Sequence, residues 1–162
     1  MLSEDFKRFK SISDVQISPD GSRILFVIKT VDEKEDDYSS HIWEVSSGGG
    51  KPKQFTYGDG RDSCPRWAPD GKNIMFLSSR GREKGVLPWV ISAQGGEARP
   101  ICSEPKGIEN PVWSPDSTQL VITSPGDQPN SERAILVDLV QNYAVQIAEN
   151  LRPVGWMVAA DD

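Results

Sequence analysis

The sequence predicts an all-β protein that is built from repeated four-stranded units. Its main indication is a strand, a tight turn and a second strand that occur three times, as ISPDGSRILFVI from Ile17, WAPDGKNIMFL from Trp67 and WSPDSTQLVIT from Trp113. The aspartates of the three turns are 50 and 46 residues apart, at Asp20, Asp70 and Asp116. A supersecondary unit that recurs at such a spacing indicates a repeat architecture, in which one unit buries its apolar face against the next.

The composition agrees with short strands and excludes several classes of function. The chain has 162 residues, of which 36% are hydrophobic, with 14 glycines, 12 prolines and five tryptophans, and this favours many turns over long helices. A net charge of -6 without clustered Lys and Arg argues against a nucleic-acid partner. No apolar run approaches the roughly 20 residues that cross a bilayer. The charged start, residues 1–10, lacks the apolar core of a secretory signal and predicts a cytoplasmic location.

The first unit, residues 11–57, follows a lead-in at residues 1–10 in which Ser3 is able to cap a short helix. Its hairpin turns at Pro19-Asp20-Gly21, because proline presets the first turn dihedral and glycine accepts the left-handed conformation. HIWEV, at residues 41–45, is the predicted third strand, and residues 51–56 are the fourth. The charged run at 31–38 predicts a solvated loop, since an EF-hand counted from Asp32 has no glycine at its sixth position.

The second unit, residues 58–103, repeats this plan, and the third unit, residues 104–150, departs from it in its turns. Ser117 replaces the turn glycine, and Gln141-Asn142 replaces a Gly-Gly pair. Serine tolerates a positive φ poorly, so the sequence predicts that Ser117→Gly stabilises the chain by up to about 1 kcal/mol. A fourth unit is predicted to begin within residues 151–162, at Pro153-Val154-Gly155-Trp156.

Four short strands per unit, with an aromatic residue in fixed register, predict a partial β-propeller of about three four-stranded blades plus the start of a fourth. Trp67 and Trp113 occupy the position of Ile17, which indicates a residue packed between adjacent blades. Closed propellers contain about 4 to 8 blades, so the outward faces of the first and last blades are expected to be uncovered. The chain is therefore expected to be a fragment of a longer protein or to complete a ring by self-association.

Three stretches, SPDG, PRWAPDGKNIMFLSSR and WVISAQGGEARPI, resemble a known family. They are similar to the N-terminal propeller of the prolyl oligopeptidase family of serine peptidases, especially its acylaminoacyl-peptidase and dipeptidyl-peptidase-like members, from about Phe6 to Trp113. The resemblance implies a non-catalytic domain that restricts access of peptides to a C-terminal α/β-hydrolase domain. It also implies peptides or that missing hydrolase domain as partners. The sequence contains no G-x-S-x-G elbow, so no catalytic residue is carried over and whether the chain is itself an enzyme stays open.

The candidate site residues are few, and no cofactor or metal ion is predicted. Arg80, after Ser78-Ser79, is the candidate contact for a peptide carboxylate, with an ion pair to an acidic residue of an adjoining blade as the alternative. His41, the one histidine, is interpreted as a strand-edge residue and not as a catalytic base. Residues 58–62 are interpreted as a linker and not as a phosphate loop, because a strand and a helix do not flank them in the required order. Cys64 and Cys102 are interpreted as buried or half-buried free thiols.

Two other functions compete with the peptidase-propeller interpretation. The first is a protein-binding propeller without enzymatic activity, similar to TolB. TolB-like proteins are periplasmic, and the absence of an export signal at the start of this sequence counts against that alternative. The second is a truncated gene product with no function of its own.

Overall fold

The computed structural model describes residues 10–32, 37–81, 85–102, 108–126, 129 and 131–151. The predicted helix near Ser3 and the predicted start of a fourth unit at residues 153–156 lie outside the described residues. Within them, every helix or strand that is assigned is a β-strand, which confirms the all-β class.

In the described part of the chain, twelve strands form three antiparallel four-stranded sheets, and in each sheet neighbouring strands are consecutive in sequence. Sheet 1 contains β1 (Ser11–Ile17), β2 (Arg23–Asp32), β3 (Asp37–Ser46) and β4 (Lys53–Gln54). Sheet 2 contains β5 (Asp62–Trp67), β6 (Asn73–Ser78), β7 (Leu87–Ser92) and β8 (Arg99–Pro100). Sheet 3 contains β9 (Glu109–Trp113), β10 (Gln119–Pro125), β11 (Glu132–Asp138) and β12 (Tyr143–Leu151). The limits of the predicted units stay a prediction.

The predicted tight turns are confirmed at all three hairpins. Gly21 and Gly71 have φ angles of 73° and 70°, and Ser117 at the equivalent position has a φ of 62°. Asp20 stabilises its own turn by accepting hydrogen bonds from the Ser18 hydroxyl at 2.6 Å and from the Ser22 amide at 3.0 Å. These hydrogen bonds, that of Ser18 first, lower the pKa of Asp20 to about 2. The turn chemistry is therefore local, and a few consecutive residues suffice to specify it.

Ser117 has a second role that the sequence analysis did not include. Its hydroxyl oxygen accepts a hydrogen bond from the Asp70 amide at 3.0 Å, and so connects the turn of sheet 3 to the turn of sheet 2. Removing that bond costs about 0.5–1.5 kcal/mol and offsets the relief of backbone strain. The two effects nearly cancel. Ser117→Gly is therefore expected to change the free energy of unfolding by no more than about 0.5 kcal/mol, less than the gain of up to about 1 kcal/mol that the sequence predicts.

We therefore expect Ser117→Gly to be more stable than Ser117→Ala by about 1 kcal/mol, because both variants lose the hydrogen bond and only alanine keeps the strain of a positive φ. Urea denaturation at 25 °C of the two variants and the parent chain measures the difference. An alanine variant at least as stable as the glycine variant would contradict the left-handed strain at this position.

The structure corrects the prediction for the charged run at 31–38. β2 continues to Asp32 and β3 begins at Asp37, and Val31 pairs with Tyr38 and Asp32 with Asp37. The backbone ladder depends on main-chain donors and acceptors, so charged side chains do not end it where they lie at the tip of a hairpin. The fourth strand predicted at 51–56 is also shorter than expected, since only Lys53–Gln54 pairs, and its counterpart in the second unit is equally short, at Arg99–Pro100.

The apolar core lies between the sheets, in two clusters. The first contains side chains of sheets 1 and 2, namely Leu25, Val27, Ile42, Ile74, Phe76, Ile91 and Ala93. The second contains side chains of sheets 2 and 3, namely Met75, Leu77, Val90, Ile101, Ile108, Leu120, Ile122, Ile135 and Val137. Because successive strand residues point to opposite faces, Ile74 and Phe76 belong to the first cluster and Met75 and Leu77 to the second. The continuous apolar run of β6 therefore reflects a sheet that is covered on both faces.

The tryptophans that open two of the repeats pack between sheets, as predicted. Trp67 of sheet 2 packs against the first cluster, and the Arg23 guanidinium of sheet 1 lies 5.0 Å from the centroid of its ring. Trp113 of sheet 3 donates a hydrogen bond from Nε1 to the Arg66 carbonyl of sheet 2 at 3.1 Å. Each indole thus contacts the preceding sheet, which is the contact that blade stacking requires.

No helix among the described residues has both the length and the apolar character that crossing a membrane requires.

Candidate functional site

Several polar side chains meet between sheets 1 and 2, around Asp62. We call it the Asp62 cluster, and it comprises His41, Thr56, Asp62, Ser78 and Arg80. Asp62 is the first residue of β5 and is completely buried. Ser78 ends β6 and Arg80 follows it, whereas His41 lies in β3 of the neighbouring sheet. A buried carboxylate is costly unless it is paired and hydrogen-bonded, so the surrounding side chains decide whether this one is tolerated.

Arg80 is the principal partner of Asp62. Its Nη2 donates to Oδ1 and Oδ2 of Asp62 at 2.8 and 2.9 Å, and its Nε donates to the Ser78 hydroxyl at 2.9 Å. The guanidinium carbon also lies 5.1 Å from the ring centroid of Phe76 and 5.2 Å from that of Trp89. The alternative predicted for Arg80, an ion pair with an acidic residue of an adjoining blade, is right about the acidic partner and wrong about its blade. Asp62 belongs to the same sheet, because the ends of the adjacent strands β5 and β6 lie side by side.

His41 connects the cluster to sheet 1. Its Nδ1 lies 3.6 Å from Oδ2 of Asp62, which is beyond normal hydrogen-bond length, and the buried nitrogen has no hydrogen-bond partner in the described structure. The Ser40 hydroxyl, one residue earlier in β3, donates to the Asp62 carbonyl at 2.9 Å. Two consecutive residues of sheet 1 thus contact one residue of sheet 2, and the cluster links the two sheets.

The environment keeps Asp62 ionised. Burial alone raises the pKa of its carboxyl, but His41, Ser78, Thr56 and Arg80 favour the charged form and outweigh that effect, so the pKa lies below its ordinary value. The carboxylate is therefore a fixed negative charge at neutral pH and is not poised to exchange protons there.

Gly60 allows Arg80 to reach this position. A Cβ atom on Gly60 would lie 2.6 Å from the backbone nitrogen and 2.7 Å from the Cβ of Arg80. Residues 58–62 were predicted to be a linker. Neither the close approach of Gly60 to Arg80 nor the burial of Asp62 was predicted. The sequence pattern gives no direct indication of either, since Arg80 is 20 residues from Gly60 along the chain.

We expect Gly60→Ala to lower the free energy of unfolding by about 1–3 kcal/mol, because the added methyl group displaces the backbone of Arg80. Gly48→Ala is the matched control, since a Cβ there meets only the Ser46 hydroxyl at 3.6 Å. Guanidinium chloride denaturation of both variants measures the difference. Equal stability of the two variants would show that Gly60 and Arg80 are not in this contact.

The cluster has the chemistry of a structural clamp, not of a nucleophilic site. His41 and Asp62 lie together, but Ser40 hydrogen-bonds to the Asp62 carbonyl and Ser78 accepts from Arg80, so neither serine is presented to the imidazole as a nucleophile. Burial raises the pKa of the nearby Cys64 thiol, which disfavours the reactive thiolate. The described residues also contain no group of three or more His, Cys, Asp or Glu side chains that could hold a metal ion.

Both cysteines are half-buried thiols, as predicted. Cys102 lies in a groove of about 700 Å³ between the outer strands of sheets 2 and 3. Leu87, Ile101 and Ile135 contribute apolar surface to the groove, and Arg133 lies at it with its Nε hydrogen-bonded to Ser124. Such a lining is suited to holding an apolar segment and not to acid–base chemistry.

The sequence was compared with known proteins. A scan against protein-family models finds no match. Over 125 residues the chain is 37% identical to the uncharacterized peptidase YuxL of Bacillus subtilis, covering 76% of this chain and 19% of that protein. Over 133 residues it is 27% identical to dipeptidyl-peptidase 5 of Porphyromonas endodontalis, covering 82% of this chain and 19% of that protein. The chain therefore spans about a fifth of the length of these curated relatives.

Solved structures share the fold. The acylaminoacyl peptidase of Pyrococcus horikoshii superposes with a TM-score of 0.70 at 20% identity, over 91% of this chain and 26% of that chain. The β-propeller domain of the trilobed protease from Pyrococcus furiosus gives a TM-score of 0.68 at 21% identity, over 88% of this chain and 43% of that chain. TolB from Acinetobacter baumannii gives 0.57 at 15% identity, over 85% and 43% of the two chains. The three sheets are therefore blades of a β-propeller, as predicted.

Proposed function

Because the chain is a propeller segment of the prolyl oligopeptidase family of serine peptidases, we propose that it is the substrate-gating, non-catalytic part of such an enzyme. In this proposal the chemistry belongs to an α/β-hydrolase domain that these 162 residues do not contain. The parent enzyme is of the acylaminoacyl-peptidase or dipeptidyl-peptidase type, and its substrates are peptides. A cytoplasmic location is part of the proposal, and cell fractionation tests it.

The observation that carries the proposal is the 37% identity to a peptidase over 76% of this chain. The non-catalytic part of the proposal is supported by the Asp62 cluster, whose contacts are structural. A gating domain must exclude large polypeptides, and it does so only if its blades hold a fixed relative position. The Asp62 cluster supports this role, because it adds polar contacts between sheets 1 and 2 to their apolar packing. The Ser40 hydroxyl of sheet 1 donates to the Asp62 carbonyl of sheet 2, and Thr56, which follows β4, hydrogen-bonds to the Asp62 carboxylate that Arg80 holds in place.

Contact between Arg80 and a peptide carboxylate stays a prediction. A peptide at this position would compete with Asp62, whose buried carboxylate would then lose its principal ion pair. That loss is costly for a completely buried charge. A substrate carboxylate is therefore expected to reach Arg80 only at the solvent-facing side of its guanidinium.

The proposal that this chain has no peptidase activity of its own is tested with the purified 162-residue protein. We expect no hydrolysis of acyl-peptide or aminoacyl chromogenic substrates above a buffer control. Turnover that co-purifies with the folded protein through several chromatographic steps, and that disappears in His41→Gln, would overturn the non-catalytic role.

The gating role is tested in the longer polypeptide. The coding sequence downstream of Asp162 is expected to contain a G-x-S-x-G elbow within a few hundred residues. In that polypeptide, Asp62→Asn should loosen sheets 1 and 2, raising cleavage of long polypeptides relative to cleavage of a dipeptide substrate. An unchanged ratio would contradict gating by these blades, and a genome without the elbow would remove the peptidase role.

A TolB-like protein-binding propeller without activity is the alternative, and the structural match to TolB is the observation in its favour. The match is weaker than those to the two peptidases. The downstream sequence separates the two functions, since a binding propeller requires further blades and no hydrolase domain.

A further inference from the structure

The groove of about 700 Å³ between the outer strands of sheets 2 and 3 has an apolar floor and an accessible rim. Its most buried lining residues are Ile101 and Ile135, each 8% exposed. Asn142, Tyr143 and Gln146 are exposed and line the rim. Such a groove is suited to hold one apolar side chain of a ligand while polar groups of the ligand stay at the surface.

The equivalent space between sheets 1 and 2 is occupied by larger side chains. Phe55 and Trp89 lie 46 residues before Ile101 and Ile135, and both pack against the first cluster. An isoleucine at each position removes aromatic volume from the junction of sheets 2 and 3. Both walls of the groove belong to described sheets, so the groove is a feature of this junction and not of an uncovered blade face.

Arg133 places a positive charge at this groove. Its Nε donates to the Ser124 hydroxyl at 2.9 Å, as the Nε of Arg80 does to the equivalent serine of sheet 2. Arg80 also binds the carboxylate of Asp62, whereas the residue 46 positions after Asp62 is the apolar Ile108. Within the described part of the chain, the Nη nitrogens of Arg133 have no acceptor. They are therefore suited to bind the carboxylate of a ligand through two parallel hydrogen bonds.

Strand β12 offers main-chain hydrogen bonds beside the groove. It is the last strand of sheet 3, and no described strand pairs with its outer edge. It contains nine residues, whereas the outer strands β4 and β8 contain two each. A long edge without proline presents N–H and C=O groups that pair with an extended peptide. A fatty acid also has a carboxylate and an apolar chain but has no main chain to use these groups, so the edge favours a peptide.

We propose that this groove binds the C-terminal end of a peptide whose last side chain is apolar. The terminal carboxylate pairs with Arg133, the last side chain lies on Ile101 and Ile135, and the preceding main chain runs along the outer edge of β12. This inference concerns binding by the 162-residue chain and does not depend on the proposed peptidase role.

The test is fluorescence polarisation of a labelled pentapeptide that ends in leucine with a free carboxylate, titrated with the full 162-residue chain. Saturable binding is expected. The same peptide with a C-terminal amide should bind at least about tenfold more weakly, because it loses the charge-assisted hydrogen bonds. Arg133→Gln should weaken binding of the carboxylate peptide by a similar factor and leave binding of the amide peptide unchanged. Arg99→Gln is the matched control, because it removes the same charge from an exposed arginine outside the groove lining.

Filling the groove tests its location. Ile135→Trp introduces the residue that stands at the equivalent position between sheets 1 and 2, and it should abolish binding of the carboxylate peptide. Circular dichroism establishes that each variant is folded, and Ile101→Phe replaces Ile135→Trp if that variant is not. Decanoate should compete at least about tenfold more weakly than the unlabelled peptide, since it cannot pair with β12.

Five results would overturn the proposal. They are titrations that do not saturate, equal binding of the acid and amide peptides, equal competition by decanoate, unchanged binding by a folded groove-filling variant, and a loss in Arg133→Gln no greater than that in Arg99→Gln.

Discussion

Asp62→Ala is expected to lower the free energy of unfolding at pH 7 by about 3–5 kcal/mol, the cost of removing one member of a buried ion pair. The substitution leaves the Arg80 guanidinium without its carboxylate. It also removes the carboxylate that accepts hydrogen bonds from the side chains of Ser78 and Thr56. Because Arg80 keeps some access to solvent, the lower end of the range is expected. Denaturant unfolding followed by tryptophan fluorescence measures the change.

A double substitution separates the ion pair from packing. In Asp62→Leu with Arg80→Met, both charges are replaced by apolar side chains, so no unpaired charge remains at the junction. We expect the double variant to be more stable than Asp62→Leu alone, with a coupling energy of at least about 1 kcal/mol. Strictly additive effects of the two substitutions would contradict the pairing.

The carboxyl group of Asp62 should also make the free energy of unfolding depend on pH. Its pKa is lower in the folded chain than the ordinary value of about 3.9 in the unfolded chain, so ionised Asp62 stabilises the fold above about pH 4. That contribution is lost as the pH falls through and below about 4. The stability difference between the parent and Asp62→Asn should therefore narrow from pH 6 to pH 3. Asp20 and Asp116 also have lowered pKa values, but both proteins keep them, so the comparison isolates Asp62.

Trp67→Ala is expected to cost about 3 kcal/mol, the lower end of the range for truncating a buried aromatic residue, because the indole is only partly buried. The substitution removes apolar contact with the first cluster and the ring that stacks beneath the Arg23 guanidinium. Thermal and urea denaturation measure the loss.

Two controls bracket this result. Trp67→Phe keeps a ring between the sheets and should cost less than half as much as the alanine variant. Tyr57→Ala removes an exposed aromatic side chain and should change stability by no more than about 0.5 kcal/mol. If Trp67→Ala were no more costly than Tyr57→Ala, packing of Trp67 between blades would be wrong.

The repeat and its turns were predictable because their causes lie within a few residues of sequence. Pro19, Asp20 and Gly21 set the dihedrals and the hydrogen bonds of their own turn, and the same residue types recur at the next repeat. The strand that follows each turn was predicted from the same local pattern, and β6 is that strand in the second repeat. The four strands per unit and the aromatic residue in fixed register predicted the propeller, and the sheet stacking and the structural matches confirmed it.

The candidate site was not predictable in this way. Asp62 and Arg80 are 18 residues apart and His41 lies in a different sheet, and nothing between them in the sequence marks the contact. The prediction of a loop at the charged run 31–38 was wrong for a related reason. A local count of charges favours a loop, whereas pairing of β2 with β3 along their whole length stabilises a ladder to Asp32 and Asp37.

By itself the sequence determined the all-β class, the three repeated hairpins and the inter-blade tryptophans, since short-range turn geometry and strand periodicity specify them. Only the tertiary structure decided that Asp62 is buried and ionised, that Gly60 must lack a side chain and that Ser117 accepts a bond from a neighbouring turn. Those features depend on which side chains meet when sheets stack. The energetic value of a charge or a methyl group is set by that environment and not by its place in the chain.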